Sequence, residues 1–315
     1  MQRLTTRRTA ADPHGLSRRT MAGLLLSLSL LPALGWADTR RQVNSPGRVV
    51  TLFQGATDTA VALGVVPIGC VESWQDKPIY PYLRSALADV TLVGLETQPD
   101  LETIALLKPD LIVASRFRHQ RIQPLLSALA PVLMLDDIYR YRQTLDVMAG
   151  ALGREAHAAR LHWALTARTS ALRLRLRRQF GNRWPLTVSL VDVRADEIRS
   201  YLAPSFGGSV LASLGFVWNR QSREANGAML QLGGVESVPV IDADVLFVLR
   251  QRSQVARDHY RRLRTHPLWQ QLTAVRHGAV RTVDPVAWSL SGGMLGVFDM
   301  LEAIDTWLDE VAEPR

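Results

Sequence analysis

One pattern occurs twice in the chain, and this internal repeat constrains the fold more than any other feature. LETIALLKPDLIVASRFR at 101–118 aligns without a gap with VESVPVIDADVLFVLRQR at 235–252, at an offset of 134 residues. In each copy an amphipathic segment leads through an aspartate, Asp110 or Asp244, into a run of apolar residues. Such a run, bounded by turn residues, is typical of a parallel strand that is covered on both faces. The repeat therefore predicts two similar α/β lobes.

Two arginines follow the strand in each copy, Arg116 and Arg118 in the first and Arg250 and Arg252 in the second. Ligands of open α/β sheets bind outside the carboxyl ends of the strands. Arginine stays ionised and presents paired N–H donors that match carboxylates. Arg194 follows a further predicted strand. We therefore predict a cleft in which arginines of both lobes bind an anion, although for each arginine alone a solvated surface position is the alternative.

A long helix is predicted between the two copies. Arg154–Phe180 contains no proline and no glycine, and Gly181 and Asn182 supply a stop signal. At 1.5 Å per residue this segment is about 40 Å long, comparable to a small domain. Its arginine-rich face could also bind a membrane or a partner.

The predicted fold class is α/β, with two Rossmann-like lobes of mostly parallel sheets joined by a single long α-helix. The predicted segments are a signal peptide at 1–37, an N-terminal lobe at 38–152, the interlobe helix at 153–181 and a C-terminal lobe at 182–315.

The first residues have the composition of an export signal. Arg18 and Arg19 form a twin-arginine pattern, and the apolar run Ala22–Leu34 that follows is too short to span a bilayer but suits a signal sequence. Gly35 and Ala37 supply the small residues that a signal peptidase recognises, so we predict cleavage after Ala37. The mature protein is then expected to be soluble and periplasmic, exported by the twin-arginine route. The alternatives are Sec export, a membrane anchor or a buried first helix.

The charge balance excludes one class of partner. The formal net charge is +8, but five arginines and one aspartate lie in residues 1–37, which leaves 32 basic and 28 acidic residues. That excess is too small for the dense basic surface of a nucleic-acid binder. The single cysteine, Cys70, lies in an apolar context and is expected to be a small buried hydrophobe. We expect a monomer without nucleic-acid partners.

Sequence motifs of catalysis and metal binding are absent. No two histidines are spaced i, i+4, there is no second cysteine, and neither a G-x-S-x-G elbow nor a P-loop occurs. We therefore predict no catalytic residues, no cofactor and no direct metal ligands. Gly207-Gly208-Ser209 could bind an anion through free N–H groups or simply begin a helix capped by Ser209. His119 would add a donor of pH-dependent charge, and Trp74, Trp218 and Trp288 are expected in loops that could wall the cleft.

Several longer segments resemble a known family. They are ALGVVPIG at 62–69, VGLETQPDLETIALLKPDLIVA at 93–114, GSVLASLGF at 208–216 and HPLWQQLTAVRHGAVRTVDPVAW at 266–288. Together they resemble the periplasmic iron-chelate binding proteins of ABC importers, in the group with a rigid interlobe helix that also contains vitamin B12 and haem binders. The resemblance implies a shallow cleft between the lobes and only small closure on binding. The last two segments are most similar to the ferric-citrate-binding branch.

That branch implies the ligand-binding residues. The positions that match residues expected near its ligand are Arg118, His119, Arg194, Arg252 and Trp288; Arg116, Arg250 and Trp74 are added from the repeat and from the predicted loop. The implied ligand is an anionic Fe(III) chelate, ferric citrate or another carboxylate-type siderophore, whose iron is held by the chelator.

The resemblance also implies a second partner and leaves other ligands open. Glu102 and Glu236 match acidic residues that dock each lobe onto an inner-membrane ABC permease, and a solvent-facing helix charge is the alternative. Glu96 stands where a hydroxamate-binding relative has an arginine, which disfavours a hydroxamate. A hydroxamate siderophore, haem or cobalamin nevertheless stay alternatives, as does an exported enzyme that acts on a charged small molecule.

Overall fold

The first lobe is built on a six-stranded sheet. The structure, a computed structural model, describes residues 46–312, and the predicted signal peptide with its twin-arginine pattern lies outside the described residues. The strands are Val49–Thr51 (β1), Gly69–Glu72 (β2), Thr91–Leu95 (β3), Gln98–Pro99 (β4), Leu111–Ser115 (β5) and Val132–Leu135 (β6). Their order is β4-β3-β2-β1-β5-β6, and all neighbours are parallel except β3 and β4. The order reverses at β1, which opens a crevice at the carboxyl ends beside it.

Short helices connect these strands and cover the sheet. They are Gln54–Ala62 (α1), Leu101–Leu107 (α2), Arg116–His119 (α3), Gln123–Leu129 (α4) and Tyr141–Leu152 (α5), with 3-10 turns at Pro81–Leu83 and Gln120–Ile122. Asp100 caps α2 by accepting the backbone N–H groups of Glu102 and Thr103, which is the usual role of an aspartate before a helix.

The long helix α6 (Glu155–Phe180) leads into the second lobe through a 3-10 turn at Gly181–Arg183. The sheet of that lobe has the order β11-β10-β7-β8-β9, with β7 to β9 antiparallel and the remaining pairs parallel. Its strands are Val188–Val193 (β7), Ile198–Tyr201 (β8), Met229–Leu232 (β9), Val245–Leu249 (β10) and Val280–Val283 (β11). Its helices are Phe206–Leu214 (α7), Arg220–Glu224 (α8), Gln254–Thr265 (α9), Pro267–Gln270 (α10), Thr273–Arg276 (α11) and Met294–Ala312 (α12), with a 3-10 helix at Val235–Ile241 and a π-helical turn at Val286–Leu290.

One continuous hydrophobic core joins the lobes. Buried residues of the first lobe, such as Leu145, belong to the same cluster as Leu165 and Leu172 of α6 and Phe247 of the second lobe. Helix α12 packs against both α1 and α6, so it belongs to this shared core. The predicted fold class, two α/β lobes joined by a single long helix, is confirmed. No helix in the described part of the chain is both long and apolar enough to cross a membrane.

The aspartates of the internal repeat have the same structural role in both lobes. Asp110 Oδ2 accepts the backbone N–H groups of Gly47 and Arg48 at 3.1 and 3.0 Å. Asp244 Oδ2 accepts the N–H of Thr187 at 2.7 Å and its hydroxyl at 2.6 Å. Each carboxylate therefore ties the start of its strand to the segment that precedes a neighbouring strand. The apolar runs of the repeat form β5 and β10, so these two strand predictions are confirmed. Cys70 is buried in β2, as expected.

Candidate ligand-binding cleft

A cavity of about 350 Å³ lies between the carboxyl ends of the two sheets. The first lobe contributes residues that directly follow its strands, and the second lobe contributes the turn after β7 together with β8 and β9. The polar and aromatic lining residues are Phe53, Gln54, Trp74, Glu96, Arg118, Tyr139, Arg194, Arg199, Tyr201 and Ser289. Its volume is in the range of small-molecule sites, and its position follows from the switch point beside β1.

Arg118 is held in the cavity wall by one nitrogen of its guanidinium group. Nε donates to Oε1 of Glu96 at 3.1 Å, and the guanidinium carbon lies 5.6 Å from the ring centre of Trp74 and 4.8 Å from that of Phe117. These aromatic faces favour the cation. Within residues 46–312, the two terminal nitrogens of Arg118 donate no hydrogen bond, so the paired N–H edge is available to an anion.

Glu96 anchors the wall of the cavity in the first lobe. Only 4% of its side chain is exposed, and Oε2 accepts the backbone N–H of Gln54 and the indole N–H of Trp74, both at 3.2 Å. Burial raises the pKa of this carboxyl, and the hydrogen bonds together with the charge of Arg118 oppose that rise. Three donors converge on two oxygens, an arrangement that suits an ionised carboxylate.

His119 does not supply a donor to the cleft, contrary to expectation. The ring is buried, Nδ1 accepts the N–H of Ser115 at 3.1 Å, and Nε2 lies 2.8 Å from the backbone oxygen of Glu96. Both nitrogens are therefore in use, which assigns the neutral ring with its proton on Nε2. Burial is the main cause that lowers the pKa of His119. The residue stabilises the Glu96 turn, and both of its ring nitrogens are engaged by the first lobe itself.

In the second lobe Arg199 is held like Arg118, by Nε alone, whereas Arg194 has two nitrogens near carboxylates. Nε of Arg199 donates to Oε1 of Glu197, and Arg194 lies 3.7 Å from the same oxygen and 3.6 Å from Oδ2 of Asp192. Burial raises the pKa of Asp192, against the influence of Arg194 and Arg199. Arg199 and Tyr201 were not among the predicted site residues. Their alternate positions on the predicted strand, which point to one face, were the signal that could have identified them.

Arg250 and Arg252 line an adjoining cavity that shares Arg194 and Tyr201 with the first. Nη1 of Arg252 donates to Oδ1 of Asp76 at 2.8 Å, across the cleft from the first lobe. Nη2 of Arg252 and Nη1 of Arg250 lie 3.5 and 4.0 Å from Oδ2 of Asp284. The side chain of Arg252 is 38% exposed. Both arginines therefore line this second cavity, and each lies near a carboxylate of the protein even without a ligand.

Other predicted positions lie elsewhere. Arg116 lines neither cavity; it is exposed and lies 3.7 Å from Asp136. Trp288 is 1% exposed, and its ring centre lies 4.6 Å from that of Phe247, because the π-helical turn directs the ring into the core. Trp218 is also buried. Neither indole lines the two cavities described above, although Trp288 lines a further cavity beside Asp76 and Arg252, whereas Trp74 lines the first cavity.

The glycine pair at the start of α7 is a packing feature. A Cβ on Gly207 would lie 2.3 Å from the backbone oxygen of Trp288, so this turn is closed by protein. The helix cap is the hydroxyl of Ser205, which accepts the N–H of Gly208 at 3.0 Å, and Ser209 is not the cap. An anion site at this turn is therefore excluded.

Glu102 and Glu236, the two predicted permease-docking residues, are both exposed. Glu102 lies in α2 and Glu236 in the 3-10 helix Val235–Ile241.

Within the described residues, no group of three or more His, Cys, Asp or Glu side chains is arranged to hold a metal ion. The chemistry that the cleft offers is that of paired guanidinium donors, a phenol and an exposed indole. Such donors match the oxygen atoms of a carboxylate in charge and geometry.

Two α/β lobes on a shared helical core, with an arginine-lined cleft between their sheets, define a two-lobed ligand-binding protein. The chain belongs to the periplasmic binding protein family, whose profile matches residues 49–287. It is 56% identical over 293 residues to the achromobactin-binding periplasmic protein of Dickeya dadantii, covering 92% of this chain and 95% of the relative. It is 31% identical to the Fe(3+) dicitrate-binding periplasmic protein FecB of Escherichia coli, covering 88% and 91%. The crystal structure of Staphylococcus aureus SirA complexed with staphyloferrin B aligns with a TM-score of 0.80 and 35% identity, covering 85% and 93%.

Proposed function

We propose that the protein captures an anionic Fe(III) chelate of the carboxylate type, ferric citrate or another carboxylate siderophore, and delivers it to an ABC permease. The observation that carries this proposal is the convergence of guanidinium groups from both lobes on one cleft. Relatives named for binding achromobactin and ferric dicitrate support the same ligand class. Iron would be held by the chelator's own oxygen atoms, and the protein would bind the outer carboxylates.

The energetics are adequate for such a ligand. A hydrogen bond to a charged group contributes roughly 1.5–3 kcal/mol net, and micromolar affinity requires about 8 kcal/mol. Four contacts from Arg118, Arg194 and Arg199 contribute roughly 6–12 kcal/mol on this scale, a range that includes the required value, and Trp74 would cover the apolar part of the ligand. The adjoining cavity with Arg250 and Arg252 would accommodate a longer carboxylate arm.

Delivery and export complete the proposal. Glu102 and Glu236 would dock the two lobes onto the permease, one glutamate from each lobe. A relative described as a putative ABC transporter substrate-binding lipoprotein is 28% identical over 271 residues, which supports an importer as the partner. Export to the periplasm by the twin-arginine route, a monomeric state and the lobe boundaries 38–152, 153–181 and 182–315 stay predictions.

A fluorescence titration tests the ligand class. Trp74 is 43% exposed in the cleft, so a bound ferric chelate should quench its emission. The panel contains ferric citrate, ferric achromobactin, ferric staphyloferrin B, Fe(III)-Desferal, haem and cobalamin. We expect a ferric carboxylate to bind with micromolar or better affinity, and to bind more weakly as ionic strength rises. Tighter binding of Fe(III)-Desferal, haem or cobalamin than of every carboxylate chelate would contradict the proposal.

The Asp76–Arg252 ion pair should compete with the ligand. An anion that engages Arg252 has to displace the Asp76 carboxylate, so Asp76→Asn should strengthen binding of the ferric carboxylate about 1.4- to fivefold, since partly exposed ion pairs contribute about 0.2–1 kcal/mol. The titration above measures this change. Asp89→Asn is the control, because Asp89 is exposed and outside both cavities. Weaker binding by Asp76→Asn would mean that Asp76 orients Arg252 for the ligand.

A further inference from the structure

Both lobes carry a buried glutamate in a hairpin turn at the edge of the cleft. Glu96 lies in the turn between β3 and β4, where Leu95 pairs with Gln98. Glu197 lies in the turn between β7 and β8, where the backbone N–H of Arg194 donates to the backbone carbonyl oxygen of Glu197 at 2.8 Å. The side chains are 4% and 10% exposed. Burying a carboxylate is costly unless it is paired and hydrogen-bonded. The partners of Glu96 and Glu197 should therefore explain why these two acids are buried beside the cleft.

Each glutamate holds an arginine by the same atom. Glu96 accepts Nε of Arg118 and Glu197 accepts Nε of Arg199. Nε is the inner nitrogen of the guanidinium group, and an acceptor bound there leaves the outer pair of coplanar N–H groups free of that acceptor. That outer pair is the edge that takes a carboxylate in a bidentate manner. Among the described residues, neither Arg118 nor Arg199 donates another side-chain hydrogen bond.

We infer that Glu96 and Glu197 are the positioning residues of the cleft, each fixing one arginine so that its outer N–H pair meets a carboxylate of the ligand. This inference rests on the proposed function for its ligand. The role also explains why a cleft for an anion contains two buried glutamates. Fixing the guanidinium plane before binding lowers the conformational entropy lost on binding, and this gain offsets the repulsion that the two carboxylates exert on the ligand.

The two glutamates differ in their remaining partners, and the difference gives a sharp test. Oε2 of Glu96 accepts a backbone N–H and an indole N–H, neither of which can act as an acceptor. An amide at position 96 would present its NH₂ group either to these donors or to Arg118. Oε2 of Glu197 instead accepts the side-chain amide of Gln231, which can rotate to present its oxygen. Glu96→Gln should therefore fail, whereas Glu197→Gln should be tolerated.

The experiment compares Glu96→Ala, Glu96→Gln, Glu197→Ala and Glu197→Gln, using the ferric carboxylate that binds the unmodified protein most tightly. We expect both Glu96 variants and Glu197→Ala to bind at least tenfold more weakly, and Glu197→Gln to stay within threefold. Glu224→Ala is the matched control, because Glu224 accepts Nε of Arg220 at 2.8 Å in the same geometry on an exposed helix outside the cleft. Unchanged affinity in Glu96→Gln, or equal losses in the two Glu197 variants, would overturn the inference.

A ligand-free measurement separates this inference from the proposed function. The Nε–H resonances of Arg118 and Arg199 in ¹⁵N NMR spectra, assigned with Arg118→Lys and Arg199→Lys, should be sharp and protected from exchange in the unliganded protein. They should lose that protection in Glu96→Gln and Glu197→Ala respectively. Protected resonances in a protein that binds no ferric chelate would sink the proposed function and leave the positioning intact. Unprotected resonances in the unmodified protein would overturn the positioning, whatever binds.

Discussion

Replacing Asp58 by alanine is expected to lower the free energy of unfolding by about 3–5 kcal/mol at pH 5. The carboxyl group is fully buried in α1, and its oxygens lie 2.7 and 3.1 Å from the N–H nitrogens of Leu295 and Gly296 and 2.8 Å from the hydroxyl of Tyr82. Burial raises its pKa to about 7, so at pH 5 the group is a neutral acid that still pairs with all three. The two N–H groups belong to the first turn of α12, so Asp58 caps that helix from 237 residues away along the chain. The substitution leaves three donors unpaired in the core, at about 1–3 kcal/mol each. Urea denaturation followed by circular dichroism measures the loss.

Two further variants isolate the cause. Tyr82→Phe removes only the hydroxyl and leaves both helix N–H groups capped, so it should lower the free energy of unfolding by about 1 kcal/mol. Asp89→Ala, at an exposed position, should change it by less than about 0.5 kcal/mol. A loss in Asp58→Ala no larger than that in Tyr82→Phe would exclude the capping role.

The same group should make stability depend on pH. Burial raises the pKa of Asp58 to about 7, against the lowering influence of its three hydrogen bonds. The folded protein then holds this proton more tightly than the unfolded chain, in which the pKa is 3.8. Its contribution to stability is therefore complete below about pH 4 and is lost as the pH rises through 7. A difference of about three in pKa corresponds to about 4 kcal/mol. Between pH 5 and 8 the unmodified protein should lose more stability than Asp58→Asn, and parallel profiles would contradict this.

The features that could be predicted from the sequence are those determined by patterns of neighbouring residues. The apolar runs that became β5 and β10 and the uninterrupted segment that became α6 could each be read from neighbouring residues, because period and length distinguish a covered strand from a helix. The repeat also placed one interior strand correctly in each sheet, β5 and β10. Strand β9 and the hairpin at Glu96 were not predicted, since their strands are short and their pairing is set by turns.

The site was less predictable because side-chain direction and distant partners are not encoded locally. Position after a strand identified Arg118 and Arg194, but the same argument included Arg116, which faces solvent beside Asp136. Trp288 follows β11 and was expected at the cleft, yet a π-helical turn directs it into the core. In the sequence, Glu96 was noted only because a hydroxamate-binding relative has an arginine at that position. Its role depends on Gln54 and Arg118, which lie 42 and 22 residues away along the chain.

The second large effect is expected from removing one cleft arginine from each lobe. Arg118→Ala with Arg194→Ala should weaken binding of the ferric carboxylate by about 100-fold or more, because two charge-assisted hydrogen bonds contribute together roughly 3–6 kcal/mol. Arg116→Ala is the matched control: this arginine follows the same strand two positions earlier, yet it lines neither cavity. The fluorescence titration compares the double variant, the control and the unmodified protein, and denaturation confirms that both variants are folded at the titration temperature.

Lysine substitutions at the same two positions separate charge from geometry. Arg118→Lys with Arg194→Lys keeps both positive charges but removes the planar N–H pairs, so affinity should fall about tenfold while its salt dependence is retained. The alanine pair should lose affinity and salt dependence together, because the charges that the salt screens are gone. If the lysine pair binds as tightly as the unmodified protein, general electrostatic attraction is sufficient and bidentate recognition is wrong. If Arg116→Ala weakens binding as much as the alanine pair, the ligand lies outside the cleft that the two sheets define.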